Sequence, residues 1–145
     1  MGPGSEPVKD DEVLYRRIPD SIEWYDPSVS PHPSSKAFRP KRHDPTGISL
    51  YRARHVCPER IGGRSSQKPY YVAVVRAGDL RAHGMCLLAT PGDANGPPGH
   101  VEVTNLRYGN RREDRQEEWQ ALLADPLCRE VLGPFAPAAP EKDSE

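Results

Sequence analysis

Histidine and cysteine are the residue types in this chain best suited to bind a metal ion. Six candidate ligands are His55, Cys57, His83, Cys86, His100 and Cys128. One residue separates the first two and two residues separate the next two, and four such ligands could form a tetrahedral zinc site. Neither pair has the repeated Cys-x-x-Cys or His-x-x-x-His spacing of zinc sites, and Cys86 lies in an apolar run where a free cysteine packs as a small hydrophobe. We therefore expect no metal and no cofactor.

Nucleophilic catalysis by cysteine needs a partly exposed thiol in an electropositive setting. Cys57 meets this condition because Arg54 and Arg60 are near it in sequence, but any of five histidines could be its base. The glycines at 92, 96 and 99 do not form a phosphate loop, since no glycine-rich turn joins a strand to a helix there. Motifs alone assign no catalytic residue.

Charge is strongly uneven along the chain, although the net charge is only −1. The middle of the chain is basic, with Lys36, Arg39, Lys41, Arg42, Arg52, Arg54, Arg60 and Arg64 against only Asp44 and Glu59. Clustered arginines favour carboxylate or phosphate partners. We expect a partner to bind at Arg39, Arg42, Arg52 and Arg54. Another protein with an acidic surface is the preferred partner, with nucleic acid as the alternative.

Composition predicts one small domain. The ends of the 145-residue chain are rich in proline, alanine and charge, so residues 1–11 and 136–145 are expected to be disordered tails around a single domain at 12–135. No apolar run approaches a bilayer span, and three widely spaced cysteines fit a reducing compartment. The expectation is a cytoplasmic protein that does not bind a membrane.

The hydrophobic pattern predicts an α+β domain. Strands are expected at Glu12–Ile18, Ile48–Val56, Tyr70–Arg76, Met85–Thr90 and His100–Asn105. Helical segments are expected at Ala77–His83, Pro58–Ile61, Glu113–Ala124 and Leu127–Phe135. This order indicates a small antiparallel or mixed sheet of about five strands, with a C-terminal helix and one or two short helices.

The predicted core joins the third strand to the late helix. Its expected members are Val72, Val74, Leu87, Trp119, Leu122 and Leu123. The opposite alternation on the strand would instead bury Tyr71, Ala73 and Val75.

Three strand residues follow the order arginine, serine, glutamate. Arg16 or Arg17 lies in LYRR, Ser49 in GISLYRA and Glu102 in HVEV. This order resembles the Arg-Ser-Glu type of ADP-ribosyltransferases. The resemblance implies that the arginine holds a nicotinamide dinucleotide, the serine braces the pocket and the glutamate polarises the ribose. The chain departs from that family in having no Ser-Thr-Ser triplet and in having His100 two residues before the glutamate.

Four further segments are similar to parts of short bacterial cytoplasmic proteins of no known activity. They are SSKAFRP at 34–40, DPTGISLYRA at 44–53, AGDLRAHG at 77–84 and PPGHVEV at 97–103. The likeness implies a bacterial origin and a single domain, but no activity.

Two functions therefore remain open at the level of sequence. The first is a non-catalytic interaction or regulatory module that docks a partner through its arginines. The alternative is an ADP-ribosyltransferase-like enzyme with Arg16, Ser49, His100 and Glu102 at its site. Spatial proximity of these four residues would discriminate between the two functions.

Overall fold

The computed structural model describes residues 6–61, 69–91, 97–110 and 112–136. Its strands are β1 (Val13–Pro19), β2 (Ile48–Arg52), β3 (Tyr70–Arg76), β4 (Leu87–Ala89), β5 (His100–Val103) and β6 (Glu130–Phe135). The α-helices are α1 (Ala77–Ala82) and α2 (Gln116–Ala124), and single 3-10 turns lie at Ser35–Phe38 and Pro58–Arg60. The strands form one sheet in the order β4-β5-β2-β1-β3-β6, with antiparallel neighbours throughout.

The α+β class and the antiparallel sheet are confirmed, whereas the helix expected at Leu127–Phe135 is wrong. Leu127–Phe135 was expected to be helical, but Glu130–Phe135 is the sixth strand and pairs with β3. Val131 lies opposite Ala73, and Leu132 opposite Val72, so contact with a distant strand decides the conformation of this segment. Within the described ranges the sheet therefore has six strands rather than about five, and α2 is followed by a strand.

Several elements are shorter than their sequence patterns suggest. The strand expected at Ile48–Val56 ends at Arg52, because the carbonyl of Arg52 accepts hydrogen bonds from the turn amides of His55 and Val56. The expected helix at Glu113–Ala124 begins only at Gln116. By contrast, β3 spans the predicted residues.

Strand alternation gives the sheet a core face and an outer face. The core face buries Leu14, Ile18, Ile48, Leu50, Ala73, Val75, Val101 and Val103 in one cluster with Trp119 and Leu123 of α2. The third strand therefore contributes Ala73 and Val75 to this core, and the preferred prediction of Val72 and Val74 is wrong. Val72 belongs to a second cluster on the outer face, with Val56, Ile61 and Tyr70.

The N-terminal segment packs on the domain. Val8 is buried, the carbonyl of Asp10 accepts from the Gly78 amide, and the carbonyl of Glu12 accepts from the Ala77 amide at the start of α1. Residues 6–11 are thus part of the packed structure rather than a free tail, while residues 1–5 lie outside the described residues. Of the C-terminal tail expected at 136–145, only Ala136 is described.

Candidate functional site

The three strands that carry the arginine, serine and glutamate motifs are neighbours in the sheet. β2 lies between β5 and β1, and both pairings are in the interior of the sheet. Ser49 stands directly opposite Glu102 in the register of β2 and β5. Directly opposed residues in an antiparallel pair have Cβ atoms about 4.5–5.5 Å apart, on the same face. Ser49 and Glu102 therefore form one group on the outer face, and both are partly exposed.

His100 joins this group through hydroxyl contacts. Its Nε2 atom lies 2.8 Å from Ser49 Oγ, and its Nδ1 atom is hydrogen bonded to Thr90 Oγ1. The ring of Tyr51 meets the His100 ring edge-on at 5.6 Å between centroids. Because a neutral imidazole has one donor and one acceptor nitrogen, one hydroxyl donates to the ring and the other accepts from it. The ring is thus held in a fixed orientation from both sides.

The Glu102 carboxylate has its own hydroxyl partner. Thr46 Oγ1 donates to Glu102 Oε2 at 2.7 Å. Thr46 immediately precedes Gly47, whose φ is +140° and where an added Cβ would meet the Val103 carbonyl oxygen at 2.4 Å. Glycine at this position therefore lets the chain pass close to β5, which brings the threonine hydroxyl to the carboxylate.

A second glycine sets the start of β5. Gly99 has φ +80°, and an added Cβ would lie 2.9 Å from the Cβ of His55. Its carbonyl accepts from the Arg52 amide at the end of β2. This left-handed turn, which L side chains rarely adopt, places His100 opposite Tyr51 in the register.

Arg16 does not share the site. It lies on the core face, where its Nε–H donates to the Ala37 carbonyl at 3.0 Å and its Nη1–H to the Ser49 carbonyl at 3.1 Å. Burial lowers the pKa of the Arg16 guanidinium, and the nearby Asp44 carboxylate raises it in part. Arg16 was assigned to the candidate catalytic set together with Ser49, His100 and Glu102, and the structure corrects that assignment. Strand alternation points it to the opposite face of the sheet.

Arg17 lies on the outer face instead. Its guanidinium carbon is 5.4 Å from the ring centroid of Tyr70, a member of the outer-face apolar cluster. Tyr15 pairs with Tyr51 across the antiparallel strands β1 and β2, so Arg17, two residues after Tyr15, and Ser49, two residues before Tyr51, are on the same face. Of the two arginines in LYRR, the second is therefore the one that shares a face with Ser49 and Glu102.

The four arginines expected to bind a partner are not equivalent. Arg39 and Arg42 are exposed, and Arg54 is half-exposed with Nη1 3.9 Å from Glu6 Oε1. Arg52 is fully buried, so its assignment to a partner-binding surface is wrong. Its Nε–H donates to Glu12 Oε1 at 2.8 Å and its Nη1–H to the Glu6 carbonyl at 2.7 Å.

The surface beside Arg39 carries both signs of charge. A groove of about 450 Å³ is lined by Arg39, Pro40, Arg107, Gly109, Glu113, Asp114, Gln116, Glu117 and Gln120. Two arginines there face three carboxylates. The groove therefore lacks the uniformly positive field expected of a surface that attracts an acidic partner.

The cysteines and histidines do not assemble a metal centre in the part of the chain that the structure describes, where no group of three or more potential ligands occurs. Cys57 and Cys86 are exposed, whereas Cys128 is buried, and burial raises the pKa of its thiol to about 11. Within the same described ranges, none of the helices has the length and apolar character to cross a bilayer.

Sequence patterns missed Thr90 and Thr46. Thr46 lies in the DPTGISLYRA segment, whose likeness implies no activity, and Thr90 ends an expected strand; their contacts with the site depend on the folded arrangement of the strands. Thr90 follows β4, and its amide donates to the carbonyl of His100, which continues the β4–β5 ladder by one residue.

Comparisons of the chain with protein-family models, with curated proteins and with solved structures found no match. The geometry of the outer face is therefore the basis for the function proposed next.

Proposed function

We propose that this chain is an ADP-ribosyltransferase-like enzyme that binds a nicotinamide dinucleotide on the outer face, over β1, β2 and β5. The observation that carries the proposal is the direct pairing of Ser49 with Glu102, on the face that also bears Arg17. The resemblance requires an arginine, a serine and a glutamate on one surface. Arg17, which lies on the same face as Ser49 and Glu102, supports the proposal in place of Arg16.

Each of the three residues fits a step of the proposed reaction. Breaking the bond between nicotinamide and ribose develops positive charge on the sugar, and a fixed carboxylate stabilises such charge. Glu102 is suited to this role because Thr46 restrains one of its oxygens. Arg17 carries a fork of N–H donors that fits the phosphates of a dinucleotide. Ser49 stands between them and braces the sugar.

Aromatic residues next to the site support binding of a planar ring. Tyr15 and Tyr51 pack against the outer-face cluster that contains Tyr70, and Tyr51 also contacts His100. Burial raises the pKa of Tyr15 above its ordinary value. Offset or edge-on contacts with such rings add about 0.5–1.5 kcal/mol beyond the burial of their area. A nicotinamide or adenine ring would gain from this surface.

Glu102→Gln tests the proposal with the full chain and a dinucleotide labelled in its nicotinamide. Release of nicotinamide should occur with the native protein and fall at least ~100-fold in Glu102→Gln, the range seen when a group that stabilises transition-state charge is lost. Glu130→Gln is the matched control, because Glu130 is an exposed glutamate of β6 at the other end of the sheet. No release by the native protein, or equal release by Glu102→Gln, would reject the proposal.

A non-catalytic interaction module is the second candidate. It is supported by the exposure of Arg39, Arg42 and Arg54, which leaves three cations for an acidic protein surface or, less favoured, nucleic acid. Reversing the charge of these three residues should abolish such binding, and added salt should weaken it. Binding that survives both changes would exclude an electrostatic interface.

For either function we propose a cytoplasmic setting. All three cysteines are free thiols, and two of them are exposed, which fits a reducing compartment.

A further inference from the structure

The hydroxyl of Ser49 has the surroundings of an activated nucleophile. It lies 2.8 Å from Nε2 of His100, and the other ring nitrogen of that histidine is held by Thr90. Nucleophile, base and orienting group in hydrogen-bonded sequence are the signature of nucleophilic catalysis. We propose that Ser49 is itself an acceptor of ADP-ribose, so that the protein modifies its own site. This inference rests on the proposed function, because the dinucleotide must bind and react at the outer face.

Proton transfer follows from the two hydrogen bonds of His100. In the tautomer with its proton on Nδ1, the ring donates to Thr90 and accepts from the Ser49 hydroxyl at Nε2. Neutral histidine is a competent base near neutral pH. Thr90 acts as a positioning residue: in that tautomer its hydroxyl accepts from the Nδ1–H and holds the ring without touching the substrate.

The opposed pair of Ser49 and Glu102 places the nucleophile beside the group that activates the sugar. A ribose carbon that Glu102 stabilises lies within reach of Ser49, since the two Cβ atoms of a directly opposed pair are about 4.5–5.5 Å apart. Thr46 also bears a hydroxyl near Glu102, but it donates to the carboxylate that activates the sugar rather than to the histidine. Ser49 is the hydroxyl that contacts the histidine and stands opposite the carboxylate.

The step is balanced without an additional reactant. A bond forms between Ser49 Oγ and C1′ of the nicotinamide ribose, and the bond between C1′ and the nicotinamide nitrogen breaks. The nicotinamide leaves as a neutral molecule with the electron pair of that bond. The Ser49 proton passes to His100 Nε2 and then to solvent. The product is a glycosidic ether linkage on serine.

The test incubates the full chain with the dinucleotide and measures two quantities in one reaction. Released nicotinamide reports on the proposed function, and intact mass with peptide mapping reports on attachment. We expect one ADP-ribosyl group per chain, located on Ser49 and resistant to neutral hydroxylamine, which cleaves an ester on a carboxylate such as Glu102. Nicotinamide release with no attached group, or with the group on another residue, would overturn the inference and leave the proposed function standing. No release would overturn both.

Variants separate a catalytic contact from a structural one. His100→Asn should lower attachment at least ~100-fold, within the range for loss of a general base. Thr90→Val should lower attachment, and Thr90→Ser should restore it, because serine keeps the hydroxyl that orients the ring. Ser28→Ala is the matched control, since Ser28 is an exposed serine whose hydroxyl donates to Asp26. Thermal melting of each variant shows whether it is folded. Equal attachment of ADP-ribose in the native protein, in Thr90→Val and in folded His100→Asn would overturn the proposed proton transfer from Ser49 to His100.

Discussion

Arg52 is buried against Glu12, a carboxylate 40 residues earlier in the chain. The guanidinium also donates to the carbonyl oxygens of Glu6 and Pro7, and the Lys9 amide donates to Glu12. The pair therefore fastens the N-terminal segment to the end of β2. A charge inside a protein is tolerated when it is paired and hydrogen bonded in this way.

Glu12→Ala should destabilise the protein by about 3–5 kcal/mol, because it leaves the Arg52 charge buried without its partner. Urea denaturation gives the free energy of unfolding. Asp10→Asn is the control: Asp10 lies in the same segment and contacts Arg81 at 2.8 Å, but its side chain is 75% exposed, against 7% for that of Glu12. An exposed pair contributes about 0–1 kcal/mol. Equal losses of unfolding free energy in the two variants would show that burial does not determine how much the Glu12 contact stabilises the protein.

Acid should lower the free energy of unfolding of the domain by protonating the Glu12 carboxylate. Burial raises the pKa of Glu12, but hydrogen bonds from Arg52 and from the Lys9 amide outweigh it, so the pKa lies below the ordinary 4.5. The unfolded chain then binds more protons than the folded one below that pH, and the stabilisation present above pH 4.5 is lost as the pH falls. Urea midpoints measured between about pH 3 and pH 6 should fall more steeply for native protein than for Glu12→Gln. Parallel curves would contradict the linkage.

Trp119→Ala should cost about 3–5 kcal/mol, the usual loss for a buried aromatic residue. The Trp119 side chain lies in the main core, and its indole N–H donates to the His83 carbonyl at 2.9 Å. Trp24→Ala offers a comparison, since Trp24 is only partly buried beside Lys41. Thermal or urea unfolding should show the larger loss for Trp119. A smaller loss there than at Trp24 would mean that α2 is not packed as described.

The three thiols should react at different rates. Cys57 and Cys86 are exposed and should be labelled quickly, while Cys128 is buried with a pKa of about 11 and should react only when the protein unfolds. Counting labelled thiols by mass, with and without denaturant, checks this order. Substituting Cys86 by serine should remove one fast site and leave the slow one. Three fast thiols in the folded protein would show that the β6 side of the core is open.

Arg17→Ala and Arg16→Ala should affect different properties of the protein. The first should weaken dinucleotide binding, because the Arg17 guanidinium lies on the outer face; the second should lower stability, because Arg16 donates to two carbonyls on the core face. Calorimetric titration with the dinucleotide and urea unfolding measure the two quantities. If Arg16→Ala abolished binding without affecting stability, the assignment of faces would be wrong.

The local sequence pattern was sufficient to predict much of the sheet, but not to predict which face of the sheet a strand residue occupies. The aromatic and β-branched run of β3 predicted its strand. Alternation alone, however, left open which face of β3 joins the main core, and only the cluster that includes Trp119 decided between the two faces. Similarly, LYRR contains two adjacent arginines that point in opposite directions. Which one faces the site depends on the register with β2.

Long-range pairing explains the remaining differences. Nothing near Arg52 in sequence indicates that a distant carboxylate neutralises it, so its charge suggested an exposed surface. The segment Glu130–Phe135 has apolar residues at spacings that suit a short helix, and only its contact with β3 makes it a strand. The contact between Ser49 and His100 joins residues 51 positions apart, so it depends on the β2–β5 register.

The outer strands of the sheet also limit how copies of this protein can associate. β4 has only three residues, and β6 contains Gly133 at φ +111° followed by Pro134, which has no amide hydrogen to donate. A strand of a neighbouring chain could pair with only three residues along β4, and its pairing along β6 would be interrupted at Gly133 and Pro134. The sheet is therefore protected against edge-to-edge growth, the first step towards fibrillar aggregation.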